Sequence, residues 1–189
     1  MRVLGISGSL RRDSHNMALL RHAGELIEAQ GAEFAVYDGL REVPLYDEDL
    51  DAEVPAAAVT EIRAAVREAD AVLFATPEYN SSIPGGLKNG IDWLSRPSLT
   101  ESALRDKPVA VIGASTGVFG AVWAQAELRR VLGATGARVI DDEVAVGRAP
   151  EQFDEHGRLD DENLVDQMRQ ITGALLAETE SGQLAELAA

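Results

Sequence analysis

Five short apolar runs, each leading through a polar stretch into a segment of helical periodicity, constrain this chain more than any other feature. The runs lie at residues 2–7, 33–37, 71–75, 109–112 and 137–140. After the first, Leu19, Leu20, Ala23, Leu26 and Ile27 fall on one helical face opposite Arg21, Glu25 and Glu28, and Gln30-Gly31 ends the pattern. Val59, Ile62, Val66 and Ala69 mark a second helix, and residues 85–94 a third. Val122, Leu128, Val131 and Leu132 mark the fourth, over 121–132. The last helix is expected over 160–176, with Leu164, Met168, Ile171 and Leu175 on one stripe and an acidic first turn that suits the helix dipole. Strand–helix alternation of this kind implies a parallel sheet with helices on both faces. The uninterrupted apolar run Ala71-Val72-Leu73-Phe74-Ala75 suits a strand buried on both sides.

Such sheets bind ligands beyond the carboxyl ends of their strands, where the strand order reverses. The loops after strands 1, 3 and 4 all lie at that end. They are also the most polar and glycine-marked stretches of the chain. The connection at 38–55, with Pro44, Pro55 and the acidic run from Asp47 to Asp51, reads as a solvated surface loop, or as a subunit contact or pocket rim. Residues 141–157 read as irregular. One domain is expected over 1–180, with a flexible tail at 181–189.

The first loop is Gly8-Ser9-Leu10-Arg11-Arg12-Asp13-Ser14-His15-Asn16. It is neither G-x-G-x-x-G nor a P-loop. It offers two hydroxyls, an amide and two guanidinium groups at a helix start, where unpaired N–H groups and the dipole attract anions. That set suits a dianionic phosphate. Capping of the helix by Ser14 or Asn16 explains one of these residues but not the set.

The second loop, residues 76–89, is stiffened by Pro77 and Pro84 and can aim backbone donors at a flat polar ring. Tyr79 either packs on such a ring or is a half-buried packing aromatic. Asn80 can donate or accept. Glu78 has no second carboxylate in view and is given no acid–base work. Lys88 and Asp92 stand four apart on the next helix, as a plain ion pair or an interface contact. Trp93 belongs to the core or to an interface. In the third loop, residues 113–120, glycines let backbone approach a ligand beside the hydroxyls of Ser115 and Thr116. A simple strand-to-helix turn is the other reading.

Composition removes whole classes. A net charge of −15 argues against nucleic acid or an anionic membrane as partner. The absence of cysteine excludes disulfides, thiol redox chemistry and cysteine-held iron–sulfur clusters. No apolar run reaches the ~18 residues of a membrane span. Residues 1–3 enter a strand without the charged n-region of a signal peptide, so a cytoplasmic protein is expected. The three histidines lack metal-ligand spacing, and neither Ser9 nor Ser115 sits in G-x-S-x-G. Phosphate-binding features without a nucleophile, metal cage or acid–base pair point to chemistry carried by a cofactor.

The three loops together resemble the NAD(P)H-dependent FMN reductase family, the flavodoxin-like group that includes bacterial chromate, quinone and azo-dye reductases. The resemblance lies in Gly-Ser-Leu-Arg-Arg-Asp-Ser-His-Asn, in the stretch from Pro77 to Pro97, and in Gly-Ala-Ser-Thr-Gly, and spans residues 2–140. It implies an α/β flavodoxin-like three-layer sandwich whose five-stranded parallel sheet has the order 2-1-3-4-5. It implies FMN with its phosphate on Ser9, Arg11, Ser14 and Asn16, beside His15. The ring would lie against Pro77, Glu78, Tyr79 and Asn80, with Ser115 and Gly117 closing the other side. NADPH or NADH would be the reductant, and a quinone, azo compound, metal ion or flavin the acceptor. A homodimer or homotetramer through the helix carrying Lys88, Asp92 and Trp93 is also implied. Val118-Phe119 departs from the family pattern and is expected to narrow the pocket. Two further readings use the same fold: a flavodoxin-like carrier passing single electrons to a protein partner, and a binding module without turnover.

Overall fold

The computed structural model describes residues 1–51, 55–96 and 101–187. The elements run β1 (Arg2–Ser7), α1 (His15–Ala29), β2 (Glu33–Tyr37), α2 (Ala57–Glu68), β3 (Ala71–Thr76), α3 (Gly85–Leu94), β4 (Pro108–Ala114), α4 (Val122–Ala134), β5 (Arg138–Val139), β6 (Val144–Val146) and α5 (Glu162–Leu187). The sheet is parallel in the order β2-β1-β3-β4-β5, with β6 also on β4. The order reverses between β1 and β3, so the loops after these two strands emerge side by side.

The two-residue period of the strands divides the core. On one face Leu4, Ile6, Val72, Phe74, Val109 and Val111 meet Val59 and Ile62 of α2, Leu87 and Ile91 of α3, and Leu128 and Leu132 of α4. On the other, Val3, Leu73, Ala110 and Ile112 meet Leu19, Leu20 and Ile27 of α1 and Met168, Ile171 and Leu175 of α5. Every residue of β3 is buried, as its unbroken apolar run requires.

The structure departs from the sequence pattern in three places. A sixth strand exists. β5 holds only Arg138 and Val139, paired with Pro108 and Val109, while β6 pairs Val144, Ala145 and Val146 with Ile112, Gly113 and Ala114. The edge partner of β4 is thus one strand path broken at 140–143, and Val-Ala-Val is too short to carry a visible period. The last helix continues past residue 176 to Leu187, through most of the stretch expected as a tail; residues 188 and 189 lie outside the described part.

The third departure is the β2–α2 connection, which is not simply solvated. Asp51 forms a two-pronged ion pair with Arg63 of α2, at 3.0 and 3.3 Å, with both side chains at least nine-tenths buried. Arg63 Nε also donates to the Trp93 carbonyl at 3.0 Å. Trp93 Nε1 and Asn89 Nδ2 each donate to the Pro44 carbonyl at 2.8 Å, and Asn89 Oδ1 accepts from the Tyr46 N–H at 2.7 Å. Trp93 is 1% exposed. Its ring meets Tyr46 edge-on, which assigns it to the core of its own chain and removes it from any subunit contact.

Candidate functional site

The β1–α1, β3–α3 and β4–α4 loops converge on a cleft of about 110 Å³. Ser9, Arg11, Ser14, His15 and Asn16 line it from the first loop, Pro77, Glu78 and Tyr79 from the second, and Ala114, Ser115 and Thr116 from the third.

The first loop is a self-supporting cradle. The Gly8 N–H donates to the Ala75 carbonyl at 2.8 Å, which starts the turn from the end of β1. The Ser9 N–H donates to Ser7 Oγ, and Ser9 Oγ accepts from the Arg11 N–H. Ser14 is the N-cap of α1, its Oγ accepting from the Met17 N–H at 3.2 Å. Capping and cleft lining therefore coincide in one residue. The N–H groups of His15 and Asn16 precede the first internal bond of the helix and have no acceptor among the described residues. Arg11 is exposed, and no described carboxylate pairs with it. Arg12, also exposed, does not line the cleft.

Asn16 does something its sequence context does not reveal. Its Nδ2 donates to the Ala114 carbonyl at 2.8 Å and its Oδ1 accepts from the Ala114 N–H at 2.9 Å. The side chain thus acts as a peptide group, fastening α1 to the last residue of β4, and is 3% exposed. What Asn16 offers the cleft is its backbone N–H.

The second loop closes in a two-residue turn at Asn80 and Ser81. Both have positive φ, the mark of a type I′ turn, and Tyr79 and Ser82 exchange hydrogen bonds across it at 3.1 Å. Asn80 sits at the exposed tip and does not reach the cleft. Glu78 is a cap: its Oε2 accepts from the N–H groups of Trp123 and Ala124 at 3.1 and 3.2 Å, in the first turn of α4. That helix begins after Ala121, which has no side chain to cap it. Ser82 Oγ donates to Glu127 Oε2 at 2.6 Å, a second tie between this loop and α4.

The third loop is held by the β6 region. The Ser115 N–H donates to the Val146 carbonyl, the Arg148 N–H to Gly117, and the Ala149 N–H to Ser115. Gly120, at φ +60°, passes so close to β6 that a Cβ there would lie 2.3 Å from the Ala145 carbonyl carbon. Gly117 supports the loop without lining the cleft. Val118 and Phe119 stand outside it, 64% and 61% exposed, with Phe119 edge-on to Trp123, so they do not narrow it. The sequence pattern also missed Phe153, whose ring stacks on that of His15 at 5.9 Å.

Just behind this wall, His22 of α1 accepts at Nδ1 from the Leu159 N–H at 3.1 Å. Burial lowers its pKa below the ordinary imidazole value, opposed first by Glu25.

The donors gathered at the cleft are those an anion needs, and they occupy the reversal point of a parallel sheet. The family model described as NADPH-dependent FMN reductase matches residues 1–151. The chain belongs to that family. Among its relatives, an NAD(P)H-dependent FMN reductase of Pseudomonas aeruginosa is 44% identical over 177 residues, 93% of each chain. A quinone reductase of Pseudomonas putida is 40% identical over 157 residues, 82% of this chain and 83% of its own. The solved structure of FerB, a flavoenzyme NAD(P)H:(acceptor) oxidoreductase from Paracoccus denitrificans, superposes with a TM-score of 0.86 at 35% identity, covering 96% of this chain and 98% of that one. The protein is thus an oxidoreductase of the FMN reductase family, with FMN as cofactor and NAD(P)H as reductant. The donor set fits the cofactor's phosphate: hydroxyls, backbone N–H groups and a guanidinium, none of them paired with a carboxylate among the described residues.

Proposed function

We propose that the protein passes reducing equivalents from NAD(P)H through FMN to small aromatic acceptors, quinones first among them. The observation that carries this reading is the convergence of the unpaired Arg11 guanidinium and the free N–H groups of His15 and Asn16 on one cleft. Ser9, Arg11, Ser14 and these N–H groups would hold the phosphate. Pro77, Glu78 and Tyr79 would support the ring on one side and Ser115 on the other. Bound FMN supplies the redox chemistry. The chain contributes orientation: Glu78 and Ser82 lock the ring wall to α4, and Asn16 fixes the spacing between phosphate cradle and sheet.

Quinone reductase activity in relatives supports the acceptor class. Azo compounds, oxidised metal ions and free flavin are further acceptors under the same reading. Assembly into a dimer or tetramer would use the half-buried side of α3 that bears Lys88 and Asp92, paired at 2.6 Å, without Trp93. A cytoplasmic location accords with the cysteine-free composition.

Purified protein reconstituted with FMN should be yellow, and anaerobic NADH or NADPH should bleach it. Protein that holds no FMN would overturn the reading. Protein that holds FMN but resists bleaching would be an electron carrier instead. Arg11→Ala should weaken FMN binding about 10- to 100-fold in an equilibrium titration, the worth of one charge-assisted contact. Unchanged retention would move the phosphate elsewhere.

A further inference from the structure

A second hollow, of about 300 Å³, shares Arg11 and Tyr79 with the cofactor cleft and is walled also by Leu10, Arg41, Pro84 and the glycines at the start of α3. Its two charged residues are both arginines, in a chain with 32 acidic and 17 basic residues. Arg41 donates from Nη2 to the backbone carbonyl of Leu10, and no described carboxylate pairs with it or with Arg11. A guanidinium carries five N–H donors, so Arg41 keeps most of its capacity after that one bond. Tyr79, 46% exposed, is a flat wall common to both spaces. The floor is open: a Cβ on Gly85 would meet nothing within 4 Å, and one on Gly86 only Leu10 at 3.6 Å. Packing does not demand glycine at either position, and its presence keeps the hollow free of side chains.

We propose that this hollow is a subsite for an anionic group on a redox partner, and that Arg41 determines specificity for it. The inference rests on the FMN-dependent function proposed above. With Arg11 engaged by the cofactor's phosphate, a ring entering beside the cofactor along Tyr79 would place an anionic substituent against Arg41, whose planar guanidinium can grip two oxygens. Two sources share this chemistry: an aromatic acceptor bearing a sulfonate or carboxylate, and a phosphate of the nicotinamide dinucleotide.

The test compares wild type, Arg41→Gln and Arg41→Lys, each loaded with FMN. The acceptors are neutral 1,4-naphthoquinone and anionic 1,2-naphthoquinone-4-sulfonate. If the anion is on the acceptor, the ratio of kcat/KM for sulfonate over neutral quinone falls about tenfold in Arg41→Gln, one charge-assisted contact, and Arg41→Lys recovers most of it. If it is on the dinucleotide, KM for NADH or NADPH rises about tenfold with either acceptor and the ratio holds. Calorimetric titration with redox-inert 2-naphthalenesulfonate reads the acceptor case without turnover: it should bind wild type about tenfold tighter than Arg41→Gln. Constants all within twofold of wild type in Arg41→Gln would overturn the subsite. So would equal losses in the Gln and Lys variants, since these would report only the strap to Leu10. Wild type that never oxidises NAD(P)H, yet binds the sulfonate through Arg41, would sink the functional reading and leave the subsite standing.

Discussion

The β1–α1 and β2–α2 loops flank the same end of the sheet and are held by opposite means. The first is organised from within. Ser7, Ser9 and Ser14 bond backbone groups two or three residues away, and of its hydrogen-bonding side chains only Asn16 reaches far. The second is organised from outside, by Arg63 of α2 and by Asn89 and Trp93 of α3, and in turn sends Arg41 back to the first loop. A locally bonded loop keeps its donors pointed at solvent and ready for a ligand. A loop bonded to distant elements spends its polar groups on the fold.

Substitutions can break that contrast or sharpen it. The largest effect is expected in the second loop. Asp51→Ala leaves the Arg63 charge buried without its partner and should cost about 3–5 kcal/mol in urea unfolding. FMN affinity of the folded fraction should change far less. An equal loss of FMN affinity would mean the loops are not separate in function. Asn16→Ala comes next, at about 2 kcal/mol, because both backbone groups of Ala114 lose their partner. Being the one distant side-chain tie of the first loop, it should lower stability and FMN affinity together; a change in only one would detach the cradle from β4. Ser14→Ala should cost about 1 kcal/mol as a lost N-cap and weaken FMN binding as well. A stability loss with FMN affinity intact would reduce Ser14 to a cap.

The smallest effect is a pH dependence. The His22 pKa is lower folded than unfolded, so the unfolded state binds more protons in between. Stability should be full above the ordinary value of about 6.5 and fall as pH drops through it. Denaturation at pH 7.5 and 5.5 should show a smaller drop for His22→Gln than for wild type. Equal drops would place the sensitivity elsewhere, for instance in the acidic second loop.

What could be read from residues alone follows the same division. The alternation of apolar runs and helical stripes gave away the parallel order, and the polar cluster from Ser9 to Asn16 the cradle, since both are written in neighbouring residues. Asp51 looked solvated because its partner lies twelve residues on, across a helix. The capping role of Glu78 left no sign because the helix it caps starts 44 residues later. β6 was invisible because three residues carry no period, and its pairing depends on where β5 stops. Arg41 gave no signal at all: only the folded chain brings it beside Leu10.

The bond between Asn16 and Ala114 also sets a timetable. Its two ends are 98 residues apart in the chain. Ribosomes deliver the amino-terminal end first, so α1 and its serines emerge long before β4 exists to hold them. The phosphate cradle acquires its final spacing only after residue 114 has been made and added to the sheet. Capture of the cofactor by the completed cradle is therefore expected only after β4 has joined the sheet.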